Sequence, residues 1–193
     1  MQSVCVFCGS SLGANAVYRE AAAALGREIA RRNLRLIYGG GNVGLMGVVA
    51  DAALAVGGEV LGVIPRALEA REVAHGVLTE LIVVETMHDR KAKMADVADG
   101  FIALPGGYGT FEEFCEVLTW TQLGIQAKPC GLLNVNGYYD PLLALFDRAA
   151  TEVVLRSGLR ALLLVDTTAA GLLDTLTGWV PVPTEKWLNS DQT

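Results

Sequence analysis

The sequence predicts a single α/β domain with a mostly parallel, doubly wound sheet flanked by helices. Short apolar runs alternate with longer Ala- and Leu-rich stretches, which is the pattern of consecutive βαβ units. Glycine clusters follow two of the apolar runs, where such units place their strand-to-helix turns. The length of 193 residues suits one domain. We therefore expect a domain over residues 1–180 and a loosely attached tail over 181–193.

The individual elements follow from the same pattern. Strands are expected at the short apolar runs, over residues 3–9, 35–38, 59–64, 81–84, 101–104 and 131–135. Helices are expected at the longer stretches, over residues 16–32, 44–56, 87–98, 111–123, 141–154 and 171–176. Asn15 is placed to cap the first helix, and Gly57 and Gly58 end the second. The polar stretch over 66–79 is expected to be an irregular, functional loop.

Composition and charge argue against several classes of partner. The net charge is −6 and the basic residues are scattered, whereas a protein that binds nucleic acid normally carries a basic stripe. No apolar run approaches the roughly 18 residues of a membrane span. The first residues lack the charged n-region and the small-residue cleavage site of a signal peptide. We therefore expect a cytoplasmic protein that binds neither nucleic acid nor a membrane.

The four cysteines are expected to be ordinary thiols. Cys5 and Cys8 form a C-x-x-C pair, but they lie in an apolar run that is predicted to be a strand. Residues three apart on a strand point to opposite faces, so this pair cannot close a disulfide or share a metal ion. Cys115 and Cys130 have no second C-x-x-C beside them. The sequence thus predicts no metal site.

Two glycine-rich turns are the main candidates for a binding site. They occupy residues 39–47 and 105–113, and each lies where a strand gives way to a helix. Bare backbone N–H groups and the positive end of the helix dipole favour an anion at such a turn. Neither turn continues into the Gly-Lys-Ser/Thr of a P-loop. For each turn alone, steric packing and phosphate binding remain equally open.

Charged residues accompany the second turn. The segment 87–94 is rich in cations, and taken alone such a charge run favours a solvated helix face over a binding site. Glu112 and Glu113 fall in the first turn of the following helix, where carboxylates complement the dipole. Neighbouring helical residues point about 100° apart, so only one of the two glutamates faces the ligand edge. A carboxylate beside a phosphate-binding turn is electrostatically unfavourable unless it serves a reaction.

The second turn carries a recognisable motif. Residues 105–113 read P-G-G-Y-G-T-F-E-E and match P-G-G-x-G-T-x-x-E, so the chain resembles the LOG ("Lonely guy") family. The segments 8–11, 39–47, 64–65, 87–94 and 131–139 are also similar to that family and come in the same order. The resemblance extends over almost all of the chain to about Thr151, with no departure at the motif positions.

The resemblance implies an activity and a set of site residues. Members of the family are cytokinin riboside 5′-monophosphate phosphoribohydrolases, with a Rossmann-like fold, no redox cofactor and at least a homodimeric assembly. By position, the catalytic pair would be Arg90 and Glu113. The nucleotide site would include Glu72, Lys91, Gly107, Gly109, Thr110 and Thr119. The segment after the first strand and the two turns add as candidates Gly9, Ser10, Gly40, Gly41, Gly106, Tyr108 and Glu112.

Other functions remain open from the residues alone. A nucleotide- or molybdenum-cofactor-binding carrier of the same fold would keep the glycine turns without the hydrolase activity. A dinucleotide-dependent oxidoreductase would use the glycines at 39, 41 and 44, with Glu59 as the acid that binds the ribose. The LOG family is often labelled lysine decarboxylase, yet no lysine here lies in a context typical of a pyridoxal Schiff base. The sequence does not distinguish plain AMP from an N6-substituted nucleotide.

The helix that follows the motif also bears on assembly. Phe114 and Leu118 lie on one side of it, and Trp120 lies off that side. Exposed apolar surface of this kind is typical of an interface between protein chains. We therefore expect a homodimer or a higher even-numbered assembly.

Overall fold

The computed structural model describes residues 1–69, 75–156 and 158–181. The strands within these ranges are β1 (Ser3–Phe7), β2 (Arg35–Tyr38), β3 (Val60–Pro65), β4 (Glu80–Val84), β5 (Phe101–Ala103), β6 (Cys130–Leu133) and β7 (Leu163–Asp166). The helices are α1 (Ala16–Arg31), α2 (Gly44–Leu54), α3 (Arg66–Glu69), α4 (Met87–Val97), α5 (Tyr108–Gln122), α6 (Asp140–Thr151) and α7 (Ala169–Thr177). Short 3₁₀ helices occupy Val135–Gly137 and Leu159–Leu162.

The strands form one sheet with the order β4-β3-β2-β1-β5-β6-β7, and every neighbouring pair is parallel. The chain winds outward from β1 to β4 and then returns to add β5 on the other side of β1. The connections therefore diverge at the carboxyl ends of β1 and β5, which opens a crevice there. The predicted doubly wound α/β architecture is confirmed.

Helices cover both faces of the sheet, and each face has its own apolar core. On one face, Val4 and Val6 of β1 pack with residues of α1, α2 and α7. On the other face, Cys5 and Phe7 pack with residues of α4, α5 and α6. Because both faces are covered, the strands are apolar along nearly their whole length. Cys8 belongs to the first core and Cys5 to the second, so the prediction that they face opposite sides is confirmed.

Some boundaries differ from the prediction. Strand β7 is not predicted from the sequence, because the Leu-rich run that contains it has no alternation that separates a buried strand from a helix. Helix α5 was expected to begin at Phe111, but it begins at Tyr108, directly after Gly107. The loop expected over 66–79 contains the short helix α3. All but the first residue of the tail expected over 181–193 lies outside the described residues.

In the part of the chain that the structure describes, no helix has both the length and the apolar character needed to cross a bilayer.

Helix α4 begins with a reciprocal cap. The Thr86 hydroxyl accepts a hydrogen bond from the backbone N–H of Asp89 (3.1 Å), and the Asp89 carboxylate accepts one from the backbone N–H of Thr86 (3.0 Å). This arrangement, called a capping box, satisfies backbone N–H donors that a helix otherwise leaves unpaired at its start. The cap therefore fixes the position at which α4 leaves β4.

Replacing Thr86 with alanine should lower the free energy of unfolding by about 1 kcal/mol, because it removes the side-chain half of this cap. Urea unfolding followed by circular dichroism measures the change. Thr86→Ser keeps the hydroxyl and serves as the control. Equal midpoints for Thr86→Ala and the unmodified protein would contradict the role of the cap.

Candidate active site

A cavity of about 260 Å³ lies at the carboxyl ends of β1 and β5. It is the crevice that the strand order predicts. Its wall combines backbone from two turns with one cation, one carboxylate and a few apolar side chains. The lining residues are Val6, Phe7, Cys8, Gly9, Ser10, Gly39, Met46, Arg90, Met94, Gly107, Tyr108, Gly109, Thr110 and Glu113.

The amino end of α5 opens into this cavity. The first N–H groups of a helix have no partner within the helix, and Gly107, at the N-cap, supplies no side chain to accept them. By contrast, α1, α4 and α7 are capped by the side chains of Asn15, Thr86 and Thr168. A Cβ atom at Gly107 or Gly109 would meet no described atom within 4 Å, so the space in front of both is open. This turn therefore offers backbone donors and a positive dipole to an anion.

Two tyrosines hold the second glycine turn in place. The Tyr138 hydroxyl donates to the carbonyl of Gly106 (2.5 Å), and the Tyr139 hydroxyl donates to the carbonyl of Leu104 (2.6 Å). Burial raises the pKa of Tyr139, so its hydroxyl stays protonated and remains a donor. These two hydrogen bonds hold the backbone of the turn in place beside the cavity.

Arg90 is the cation of the cavity, and it is buried. Its Nε donates to the carbonyl of Val63 (3.2 Å) and its Nη2 to the carbonyl of Gly39 (3.4 Å), while Nη1 contacts the Met87 sulfur (3.2 Å). A Cβ atom at Gly39 would overlap the guanidinium. Gly39 is therefore needed so that the backbone can approach Arg90 closely.

Glu113 is the carboxylate that faces Arg90. Its Oε1 lies 3.5 Å from Arg90 Nη1, and only 13% of the side chain is exposed. Burial raises the pKa of Glu113, and the positive charge of Arg90 opposes that increase. Cys8 lies on the same wall, and burial raises the pKa of its thiol well above the ordinary value. The cavity thus holds a buried ion pair and a neutral thiol, and the thiol is a poor nucleophile.

The first glycine turn packs against its own chain. Gly44 has φ +61°, and a Cβ atom there would overlap the backbone of Ser10. The N–H of Leu45, at the start of α2, donates to the carbonyl of Gly9 (3.0 Å). Gly40 and Gly41 are buried and do not line the cavity, although Gly39 does. For this turn the geometry supports steric packing, which the sequence left open beside phosphate binding.

The structure brings together most of the predicted site residues. Eight of them line the cavity: Gly9, Ser10, Arg90, Gly107, Tyr108, Gly109, Thr110 and Glu113. Gly106 lies directly behind them, since its Cα lies 3.3 Å from where a Cβ on Gly9 would be.

Besides Gly40 and Gly41, four predicted residues lie elsewhere. Lys91 and Glu112 are outside the lining and pair with each other, with Nζ 2.5 Å from Glu112 Oε1. Thr119 is exposed near the other end of α5 and contributes to a separate apolar groove. Glu72 lies outside the described residues.

Sequence reasoning missed some of the lining. Cys8 was treated only as a structural thiol, although it directly precedes the predicted Gly9. Gly39 was passed over in favour of its two neighbours, because only the contact with Arg90 distinguishes it. Met46 and Met94 come from helices on opposite faces of the sheet, and no local pattern connects them.

Glu59 lies at the wrong edge of the sheet for a dinucleotide site. It directly precedes β3 and lines a depression of about 620 Å³ at the amino ends of the strands. The acid that binds the ribose in a dinucleotide fold lies at the carboxyl edge. In this depression Arg35 already pairs with Glu80, and Asp99 accepts the N–H groups of Gln2 and Ser3. The geometry therefore gives no support to the oxidoreductase alternative.

Comparisons with known proteins agree with the motif. Residues 46–176 match the family model described as "Possible lysine decarboxylase". The chain is 54% identical over 170 residues to the probable cytokinin riboside 5′-monophosphate phosphoribohydrolase LOGL1 of Oryza sativa subsp. japonica, covering 88% of this chain and 76% of that protein. It is 51% identical over 178 residues to the cytokinin riboside 5′-monophosphate phosphoribohydrolase LOG2 of Arabidopsis thaliana, covering 92% of this chain and 84% of that protein.

Similar solved structures include two proteins with a different described role. The molybdenum cofactor carrier protein of Chlamydomonas reinhardtii superposes with a TM-score of 0.69 at 20% identity, over 91% of this chain and 95% of that one. The molybdenum cofactor binding protein of Rippkaea orientalis gives 0.70 at 20% identity, over 92% and 96%. At this identity the likeness shows the shared fold alone. The family model and the closely similar relatives decide the family, and the chain belongs to the LOG family.

Proposed function

We propose that this protein hydrolyses the N-glycosidic bond of adenosine 5′-monophosphates that carry an N6 substituent, releasing the free base and ribose 5-phosphate. The observation that carries this proposal is the buried pair of Arg90 and Glu113 beside the open amino end of α5. Relatives that share 54% and 51% of their aligned residues with the chain are named for this reaction. We place the activity in the cytoplasm, as expected from the sequence.

The amino end of α5 binds the 5′-phosphate in this proposal. The first N–H groups of α5 have no side-chain partner. No described atom lies within 4 Å of where a Cβ on Gly107 or Gly109 would be, so a phosphate can reach these N–H groups. Bound there, the phosphate holds the ribose within reach of the residues on the first turns of α5. Positioning of this kind supplies much of the rate enhancement, because the bound substrate has already lost its translational and rotational freedom.

Glu113 acts on the sugar. Cleavage of the bond between C1′ and the base nitrogen passes through an oxocarbenium-like ribose, as in glycoside hydrolysis. The Glu113 carboxylate stabilises that positive charge and orients the water whose oxygen bonds to C1′. Arg90 keeps the carboxylate ionised and in place. The water loses one proton as its oxygen bonds to C1′, and the nitrogen of the departing base gains one. Water is the co-reactant, so the proposal includes no cofactor and no metal.

The described residues of the cavity do not include the lysine that the description "Possible lysine decarboxylase" would require for pyridoxal chemistry. Lys91 pairs with glutamates, and Lys128 donates to the carbonyl of Ala95 (2.7 Å). Among the described residues no lysine lines the cavity, so none is placed to form a pyridoxal Schiff base there.

Separation of the products tests the proposal directly. The protein is incubated with isopentenyladenosine 5′-monophosphate and, in parallel, with AMP, and the products are resolved by chromatography. Equimolar free base and ribose 5-phosphate are expected. Intact nucleotide in both reactions would overturn the hydrolase proposal and favour the carrier alternative, which titration with the nucleotide then examines.

The 5′-phosphate should be required for efficient cleavage. Removing it forfeits at least two charge-assisted hydrogen bonds to backbone N–H groups, worth about 1.5–3 kcal/mol each. We expect kcat/KM for the nucleoside to be roughly 100-fold or more below that of the monophosphate. Equal kcat/KM for adenosine and AMP would rule out an anion site at α5.

Glu113, and not Glu112, should be essential for turnover. Glu113→Gln keeps the volume of the side chain but removes its charge, so kcat should fall roughly 100- to 1,000-fold. Glu112→Gln is the matched control, because Glu112 points away from the cavity towards Lys91. Base release by folded variants is the measurement. Near-normal turnover by Glu113→Gln with loss in Glu112→Gln would transfer the role to Glu112.

Arg90→Ala should be as severe as Glu113→Gln, and it requires its own control for folding. The guanidinium is buried and donates to the carbonyls of Val63 and Gly39, so its removal leaves both without that donor. Arg90 is among the buried residues of α4, so we expect this substitution to lower the stability of the fold as well as the activity. Arg90→Lys keeps the charge, and urea unfolding of both variants separates lost stability from lost catalysis.

We also propose a homodimer or a higher even-numbered assembly. Trp120 is half-buried against the second core, so it does not provide the exposed apolar surface that was expected of it. Large apolar side chains are instead exposed on α6 and just after it, at Leu145, Val153 and Val154. Light scattering at micromolar concentration should give at least twice the chain mass of 20.4 kDa. A mass of one chain would contradict the proposal.

A further inference from the structure

Met87 differs from the other three methionines of the chain in its exposure to solvent. It is 43% exposed, whereas Met46 and Met94 are buried in the two cores and Met1 is half-buried. Met87 is the first residue of α4 and lies directly after the capping residue Thr86. Small oxidants in solution therefore reach its side chain more easily than those of the other methionines.

The sulfur of Met87 also contacts the cation of the cavity. Nη1 of Arg90 donates to this sulfur at 3.2 Å, and the same Nη1 lies 3.5 Å from Glu113 Oε1. A thioether is a weak acceptor, so it leaves most of the positive charge of Nη1 available to the carboxylate. A change in the polarity of the sulfur therefore acts directly on the buried ion pair.

We propose that Met87 is an oxidation site, at which a peroxide converts the thioether into a sulfoxide that draws Arg90 away from Glu113 and slows turnover. The proposal rests on the function proposed above, because the activity that it changes is that hydrolysis. In the oxidation, the sulfur forms a bond to one peroxide oxygen as the O–O bond breaks, and the other oxygen leaves as water. Sulfur loses two electrons and the peroxide gains them. Methionine sulfoxide reductases reverse this change.

The sulfoxide oxygen competes with Glu113 for the guanidinium. It is a much stronger acceptor than a thioether, and its hydrogen bond to Arg90 is charge-assisted. Nε and Nη2 of Arg90 are already held by the carbonyls of Val63 and Gly39, so Nη1 is the nitrogen that the sulfur and the carboxylate share. A shift of Nη1 towards the new oxygen weakens its attraction for Glu113.

A weaker attraction changes the charge of Glu113 as well as its position. Burial raises the pKa of Glu113, and the positive charge of Arg90 opposes that increase. When the guanidinium moves away, burial is less opposed and the protonated form of Glu113 is favoured. The carboxylate is the active form in the proposed function, so oxidation of Met87 is expected to lower kcat.

The cysteines are poor competitors for the same oxidant. Burial raises the pKa of the Cys5, Cys8 and Cys130 thiols, and it also raises that of the half-buried Cys115. All four therefore stay protonated near neutral pH, whereas the thiolate is the form that reacts. Loss of activity under mild oxidation is accordingly expected to follow Met87.

Stepwise treatment with hydrogen peroxide tests the proposal. Peptide mass spectrometry gives the fraction of Met87 that has gained one oxygen, and base release from the monophosphate gives kcat. We expect kcat to fall about 10-fold in proportion to that fraction, because small displacements of catalytic groups are costly. Methionine sulfoxide reductase should restore it. Full activity with Met87 oxidised, or a loss that dithiothreitol alone reverses, would overturn the proposal.

Two variants assign the effect to one sulfur. Met87→Leu keeps an apolar side chain without sulfur, so peroxide should no longer change its rate relative to that of its own untreated sample. Cys115→Ser is the matched control, because Cys115 lies outside the cavity lining and its loss should leave the sensitivity to peroxide intact. Equal sensitivity of Met87→Leu and the unmodified protein would contradict the assignment.

A measurement without substrate separates this proposal from the proposed function. The urea midpoint is recorded before and after oxidation for the unmodified protein and for Arg90→Lys. A contact between the sulfoxide and the guanidinium predicts different shifts in the two proteins. Equal shifts would overturn the contact whether or not the protein is a hydrolase. Absence of base release by the untreated protein, with unequal shifts, would refute the hydrolase proposal and confine the effect of oxidation to the contact between Met87 and Arg90.

Discussion

The guanidinium of Arg90 is buried at the carboxyl edge of the sheet, where it donates to the carbonyls of Val63 and Gly39 and faces Glu113. A buried charge without partners costs several kcal/mol, so the surrounding chain has to supply them. Position 39 must be glycine for its carbonyl to come close enough, and α4 must start where its cap holds it. Glu113 then completes the charge balance. The chemistry at this edge depends on how that one cation is accommodated.

The two glycine-rich turns look alike in the sequence and serve different ends in the fold. The first is filled by its own chain, because Gly44 packs on Ser10 and the carbonyl of Gly9 accepts the N–H of Leu45. Its glycines allow backbone to pack on backbone. The second is held from behind by two tyrosine hydroxyls, and nothing described fills the space before Gly107 and Gly109. Glycine content alone does not separate these cases; what each turn contacts does.

The architecture could be predicted from the sequence because strands and helices each have their own periodicity. The position of the crevice could be predicted because parallel strands bring distant turns to one edge of the sheet. It therefore predicted the crevice and most residues around it. It could not place Gly39 against Arg90 or Lys91 against Glu112 and Glu116, because those contacts join segments far apart in the chain and leave no local pattern. Strand β7 was not predicted for a different reason. It is a short apolar run within a Leu-rich stretch, and such a run shows neither the alternation of a strand nor the spacing of a helix.

The missing side-chain cap of α5 lowers the stability of that helix. A serine or aspartate at position 107 would stabilise that helix by about 1 kcal/mol. It would also place an oxygen on the N–H groups that are open to an anion, and an aspartate would repel a phosphate. In the proposed function, the uncapped end gives up some helix stability to stay free for the phosphate, the usual relation between stability and activity at a functional site. A stabilising side-chain cap would therefore be self-defeating at α5, whereas α1, α4 and α7 already carry one.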